Sequence, residues 1–229
     1  DVCSSDLYFN NIRVSLLKNL DSEKAESMAA YMRDKFPFYG LQAVERRSAL
    51  RKYMRQQERP EYSQLQTAVK KFWQLPEREF QYFAQELILK YEDDYTEDII
   101  ELFEYMLTNK SWWDTVDHIA KKLVGEYFKI FAEKKDQKIK EWLDSGNIWL
   151  QRTALLSQLE YKEKTDAQLL FDVIEKLKNI DEFFIQKAIG WSLREYSKIE
   201  PLAVVKFTNS HQLSSLANRE ALKVVKNSK

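Results

Sequence analysis

The sequence predicts an all-α chain of short helices stacked as a HEAT-like helical repeat solenoid, a superhelix. Three observations lead there. Helix breakers are scarce, with four Gly and four Pro among 229 residues, while good helix formers abound. No segment sustains period-two alternation, so no sheet is expected. Aromatic-rich helix starts also recur: Trp113 and Trp149 are 36 apart, and 36 further lies Ile185, in the next such start. Helix pairs at a period of about 35 to 40 residues bury their faces against neighbouring repeats. A plain helical bundle is the alternative architecture.

The spacing divides the chain into about a dozen helices. The first runs from about Tyr8 to Leu20. Asp21 or Ser22 caps the second, whose Ala25, Met28, Ala29 and Met32 keep helical spacing. A basic third helix covers about Ala43 to Gln57. Pro60 and Pro76 suit the first turns of the fourth and fifth, and Thr96 caps a sixth. Ser111, with Asp114 three positions on, makes a capping box for a helix reaching about Phe131, with Gly125 as a soft point. A short helix near Lys138 to Leu143 ends at Ser145-Gly146. Asn147 caps the next, Thr165 with Gln168 forms a second capping box, and Asp181 caps the helix carrying Trp191. Pro201 opens a short helix, and Ser215 caps the last.

Composition narrows the class. Hydrophobic residues make up 44% and charged residues 31%, which fits a folded chain. Cys3 is the single cysteine, so no intrachain disulfide is expected and a reducing compartment fits. Two distant histidines argue against the common zinc sites, and no cofactor or metal is expected. No apolar run approaches the roughly 18 residues that a membrane span needs. Asp1 to Asp6 resemble neither a signal peptide nor a helix, so residues 1–7 are expected to be a tail or an expression remnant. The remainder is expected to be one repeat domain, and a monomer.

Formal net charge is zero, but its distribution is uneven. Ala43 to Lys71 holds eight basic residues, Arg47 among them, against three acidic ones. Pro76 to Glu104 holds ten acidic against two basic, and Lys206 to Lys229 five basic against Glu220 alone. That alternation suits a repeat array with one basic face, and equally suits ordinary solvated faces.

The stretch Lys110-Ser111-Trp112-Trp113-Asp114-Thr115-Val116-Asp117 carries the sharpest chemical signal. Trp113 and Asp117 are four apart, one helical turn, so an aromatic plane and a carboxylate share a face. Both favour positive charge, so the pair suits a cation or a cation-like transition state. A core Trp beside a capping or salt-bridged Asp is the plainer reading. Further on, Trp149 and Arg152 are spaced i, i+3, and Lys187, Trp191 and Arg194 are spaced i, i+4, i+7. Arginine forks suit phosphate, and indole faces suit sugars, bases and cations.

These segments resemble AlkD-type DNA alkylation-repair glycosylases. The resemblance rests on Lys110 to Asp117, Asp144 to Arg152, Glu182 to Tyr196, Leu75 to Gln81, and the Lys24 to Met32 stretch, in order and spacing along nearly the whole chain. One departure is an extra small residue at Asp144-Ser145-Gly146. The resemblance implies a solenoid holding duplex DNA with alkylated bases in a concave basic cleft. It implies excision of cationic N3- and N7-alkylpurines, such as 3-methyladenine and 7-methylguanine. It places the catalytic carboxylate at Asp117 and sugar-contacting indoles at Trp113 and Trp191. Phosphate contacts fall at Arg152 and Arg194, and Tyr31 falls near the lesion. Lys187 and Arg47 join them as DNA-binding candidates, and a bacterial cytoplasmic, nucleoid-associated location is expected. Two other classes remain open: a non-catalytic module for distorted or branched DNA, and a protein-binding helical scaffold.

Overall fold

The computed structural model describes residues 2–227, with side chains from residue 7 to residue 225. Among the described residues there is no strand, as the all-α reading expects. The sequence reading treats the chain as one repeat domain. Its internal contacts group into two compact units, one up to Tyr95 and one from Thr96.

In the first unit, α1 is Val2–Leu17, α2 Ser22–Tyr31, α3 Ala43–Leu50, α4 Tyr62–Gln74 and α5 Arg78–Ile88. Residue 1 of the expected tail lies outside the described residues, and from Val2 onward that stretch is helical. Asp21 caps α2 by accepting from the Lys24 N–H. Core positions on α4 are Leu65, Ala68, Val69, Phe72 and Trp73, and on α5 Phe80, Phe83, Ala84, Leu87 and Ile88. Both sets follow the i, i+3, i+4, i+7 stripe of an amphipathic helix. Each large side chain so buried contributes about 1.5–3 kcal/mol. The basic α3 is not a plain cationic face. Arg46 turns inward to Glu86 (2.8 Å) and lies over the Tyr82 ring.

The loop between α2 and α3 is held from below. Buried Glu79 accepts through Oε1 from the N–H groups of Tyr39, Gly40 and Leu41 at 3.0–3.1 Å. Gly40 has φ +93°, and a Cβ there would lie 1.9 Å from the Asp21 carbonyl oxygen. Only glycine fits both constraints.

In the second unit, α6 is Ile99–Thr108, α7 Trp113–His118, α8 Gly125–Ile130, α9 Lys135–Asp144 and α10 Ile148–Leu156. There follow α11 Ala167–Leu177, α12 Phe183–Tyr196, α13 Pro201–Ser210, α14 Ser215–Ala221 and α15 Lys223–Asn227. A π-helical segment, Ile119–Val124, joins α7 to α8. Helices α7, α10 and α12 begin at Trp113, Ile148 and Phe183, 35 residues apart each time. Helix α10 packs against α7 and its π segment, and also against α12, which packs on α14. Neighbours in space thus follow the order of repeats in the chain.

A recurring glutamine marks the repeats. The fourth residue of α5, α10 and α12 is Gln81, Gln151 and Gln186. Each donates its amide to carbonyls where the preceding helix ends: Phe72, Trp73 and Leu75 for Gln81, Leu143 for Gln151, and Lys178 and Ile180 for Gln186. The last carbonyls of a helix have no partner within it. In these three helices a buried amide supplies that partner, whereas α7 carries Val116 at the same place.

Candidate functional site

The second unit brings several of the predicted residues together. Asn147 caps α10 as expected, accepting from the N–H groups of Trp149 and Leu150. Five other caps differ from expectation: α6 is entered at Asp98 and α12 at Glu182, neither with a side-chain cap, so Thr96 and Asp181 do not serve. Ser111 donates its hydroxyl to the Leu107 carbonyl at 2.6 Å, closing α6 instead of opening α7. Asp166, not Thr165, caps α11, and Ser214, not Ser215, caps α14. Helix α7 therefore starts at Trp113 with no side-chain cap, and Asp114 supplies the acidic charge that its first turn favours.

Trp112, extended and buried just before α7, turns into an aromatic cluster. Its ring centroid lies 5.7 Å from that of Trp149 and 5.1 Å from that of Phe184. Trp149 also meets Phe184 at 5.0 Å. Trp149 is thus part of a packed aromatic wall. Trp113 stays half-buried on the turn before Asp117.

Asp117 is held by a two-pronged ion pair. Arg152 donates from Nε to Oδ1 at 2.7 Å and from Nη2 to Oδ2 at 2.8 Å. Its Nη1 donates to the Phe184 carbonyl, and its guanidinium lies 5.9 Å from that ring's centroid. Arg152 is 3% exposed. The sequence puts Arg152 on a phosphate. In the structure all three of its nitrogens face acceptors inside the protein, so it fixes the carboxylate's orientation. The parallel fork is the strong form of such a pair. Each carboxylate oxygen still has lone-pair capacity beyond the bond it accepts.

Just after His118 the helix loosens into the π segment, a feature frequent at functional sites. It is buttressed where it ends. The Tyr161 hydroxyl donates to the Gly125 carbonyl at 2.6 Å, and burial pushes that hydroxyl's pKa up to about 12. Gly125, read from sequence as a soft point, is packed tightly: a Cβ there would sit 2.8 Å from the Ser157 carbonyl oxygen. From the π segment Lys121 reaches over Trp191, its Nζ 5.7 Å from the ring centroid.

On α12, Lys187 and Arg194 converge on one buried carboxylate, Glu220 of α14. Lys187 reaches Oε1 at 2.9 Å and Arg194 reaches Oε2 at 2.6 Å. Lys223 adds a third cation at 2.6 Å. Hydrogen bonding from Lys223, and then from Lys187, holds the Glu220 carboxyl down at about 2 against the penalty of burial.

Tyr31 and Arg47 belong to the first unit. Tyr31 ends α2 and is 69% exposed. Arg47 donates from Nε to Glu86 at 2.9 Å, its side chain otherwise open to solvent.

Two residues of this site were missed in the sequence, and each left a signal. Lys121 continues the every-fourth-residue series Trp113, Asp117. Glu220 is the one acidic residue in the basic C-terminal stretch. Among the described residues no group of three or more His, Cys, Asp or Glu side chains could hold a metal ion. None of the described helices is long and apolar enough to cross a membrane.

Fold and site together define a helical-repeat protein whose second unit presents indoles and cations around a guanidinium-held carboxylate. The family model described as DNA alkylation repair enzyme matches residues 12–225, and the chain belongs to that family. Among solved structures it is similar to a predicted DNA alkylation repair enzyme from Enterococcus faecalis. The two are 35% identical, the match covers 89% of this chain and 95% of the other, and the TM-score is 0.83. No curated protein matches. Family membership assigns the chain to alkylation repair.

Proposed function

We propose that the protein is a DNA glycosylase that releases cationic N3- and N7-alkylpurines from duplex DNA. One observation carries the reading: the fork-held carboxylate of Asp117, one turn from Trp113. An N-alkylated purine is already cationic and leaves without a general acid. As the glycosidic bond breaks, positive charge moves onto the deoxyribose. Asp117 stabilises that charge and orients the attacking water. Its orientation is set in advance by Arg152, so little reorganisation is needed as charge develops. Trp113 and Trp191 flank the sugar and add cation–π attraction. Arg194 and Lys187 meet backbone phosphates, and Arg47 and Tyr31 of the first unit are further DNA-contact candidates. Arg152 is assigned to Asp117, not to a phosphate.

The test is release of 7-methylguanine from methylated duplex DNA by wild type and by Asp117→Asn. Release by wild type, its loss in Asp117→Asn and retained DNA binding support the reading. DNA binding without release by either protein would make the chain a non-catalytic binding module. Neutral lesions such as uracil or 1,N6-ethenoadenine are expected to be poor substrates, because they lack the charge that makes the base a leaving group. Their efficient release would sink the electrostatic account.

A further inference from the structure

We propose that Lys121 is a phosphate-contacting residue of this site. It binds a backbone phosphate of the strand whose sugar meets Trp191. The inference rests on DNA being the substrate, and it adds a contact that the family resemblance does not supply.

The basis is how lysines near Lys121 are used. Lys122 pairs with Glu160 at 2.5 Å, and Lys129 pairs with Glu126 at 2.6 Å. Among the described residues Lys121 makes no ion pair. Its recorded contact is the face of Trp191, 5.7 Å from the centroid. The nearest turn upstream offers Asp117, but both oxygens of that carboxylate face Arg152. Lys187 and Arg194, on the helix that carries Trp191, are likewise engaged, by Glu220. Lys121 therefore rests on Trp191 with its charge paired to no carboxylate among the described residues.

An ammonium resting on an indole keeps its donors largely free. A ring face attracts it less strongly than a charged oxygen does. Trp191 thus orients Lys121 without committing it, and a phosphodiester arriving beside Trp191 offers the stronger partner. The flexible four-carbon stem can turn from ring to phosphate without moving the backbone.

The test is the salt dependence of binding to an undamaged, fluorescein-labelled duplex, followed by anisotropy between 50 and 200 mM salt. The proteins are wild type, Lys121→Met, Lys121→Arg and Lys122→Met. Lys121→Met keeps the stem over the indole, and its melting curve checks that the fold is intact. Loss of one phosphate contact lowers the magnitude of the log–log slope by about 0.9. Lys121→Met should show that drop and bind several-fold more weakly, and Lys121→Arg should restore the slope. Lys122→Met should match wild type. An unchanged slope and affinity in Lys121→Met would overturn the proposal. The reading it rests on fails differently. If wild type binds duplex with the Lys121-dependent slope but releases no base, the glycosylase reading falls and the phosphate contact stands. If wild type shows no salt-dependent DNA binding, both fall.

Discussion

A Cβ added to Gly190 would lie 2.5 Å from the Cβ of Glu220 and 2.9 Å from the Ala217 carbonyl oxygen. Helices α12 and α14 touch there almost backbone to backbone, with the small residue Ala217 facing Gly190 across the crossing. This approach lets a buried carboxylate reach Lys187 and Arg194. Gly190→Ala is expected to force α14 away and cost about 1–3 kcal/mol, the usual range for overpacking. Thermal unfolding checks the stability. A salt slope of DNA binding that departs from wild type would show that Lys187 and Arg194 had moved as well.

Glu220 also imposes a pH dependence. Its folded-state pKa, about 2, lies below the ordinary glutamate value of about 4.3. Its contribution to stability is therefore fully present above the unfolded value and is lost as pH falls from about 4.3 towards 2. Denaturant midpoints measured across that window should drop less steeply in Glu220→Gln than in wild type. Equal slopes would mean that the three cations do not depend on this charge.

Arg152 is expected to matter twice. Arg152→Met leaves Asp117 with no partner in a largely enclosed setting, and breaking such a pair costs about 3–5 kcal/mol when fully buried. Since Asp117 keeps some solvent contact, the lower end is expected. Arg152→Lys retains the charge but not the parallel fork. It should recover much of the melting temperature while base release stays well below wild type. Recovery of both would make the fork's geometry irrelevant to the chemistry.

The Glu79 nest is a prediction for the first unit. Glu79→Ala removes the acceptor of three consecutive backbone N–H groups. Leaving a buried donor unsatisfied costs about 1–3 kcal/mol, so a loss of at least about 2 kcal/mol is expected. Hydrogen exchange should quicken at Tyr39, Gly40 and Leu41 first. Uniform protection at those amides would show that the loop is held by something else.

Much of this was legible in the sequence because it depends on local rules. Scarce breakers and helical periodicity gave the all-α class, and the Trp113–Trp149 interval gave the repeat length to within a residue. Caps were legible at Asn147 but not at Ser111, whose hydroxyl turns back to the Leu107 carbonyl. They also failed where two polar residues sat side by side, as at Thr165-Asp166 and Ser214-Ser215, because the choice depends on a single residue's backbone angles. The partner of Arg152 was not legible. Asp117 lies 35 positions away on another helix, and only the packing of α7 on α10 brings them together. The repeating glutamine was present in Phe80-Gln81, Leu150-Gln151 and Ile185-Gln186, but its meaning needs the end of the helix before it.

The π segment after Asp117 has a consequence for how this protein can change. A π turn is an α-helix holding one residue too many. Residues before it, Trp113 and Asp117, face the site, while residues beyond it, Tyr127 and Phe128, are locked in the core. Removing one residue from Ile119–Val124 would rotate one set against the other by about 100°. The spare residue works as a phase adjuster between chemistry and scaffold. A single codon lost there, other than that of Lys121, would leave every side chain of the site present and aim them elsewhere.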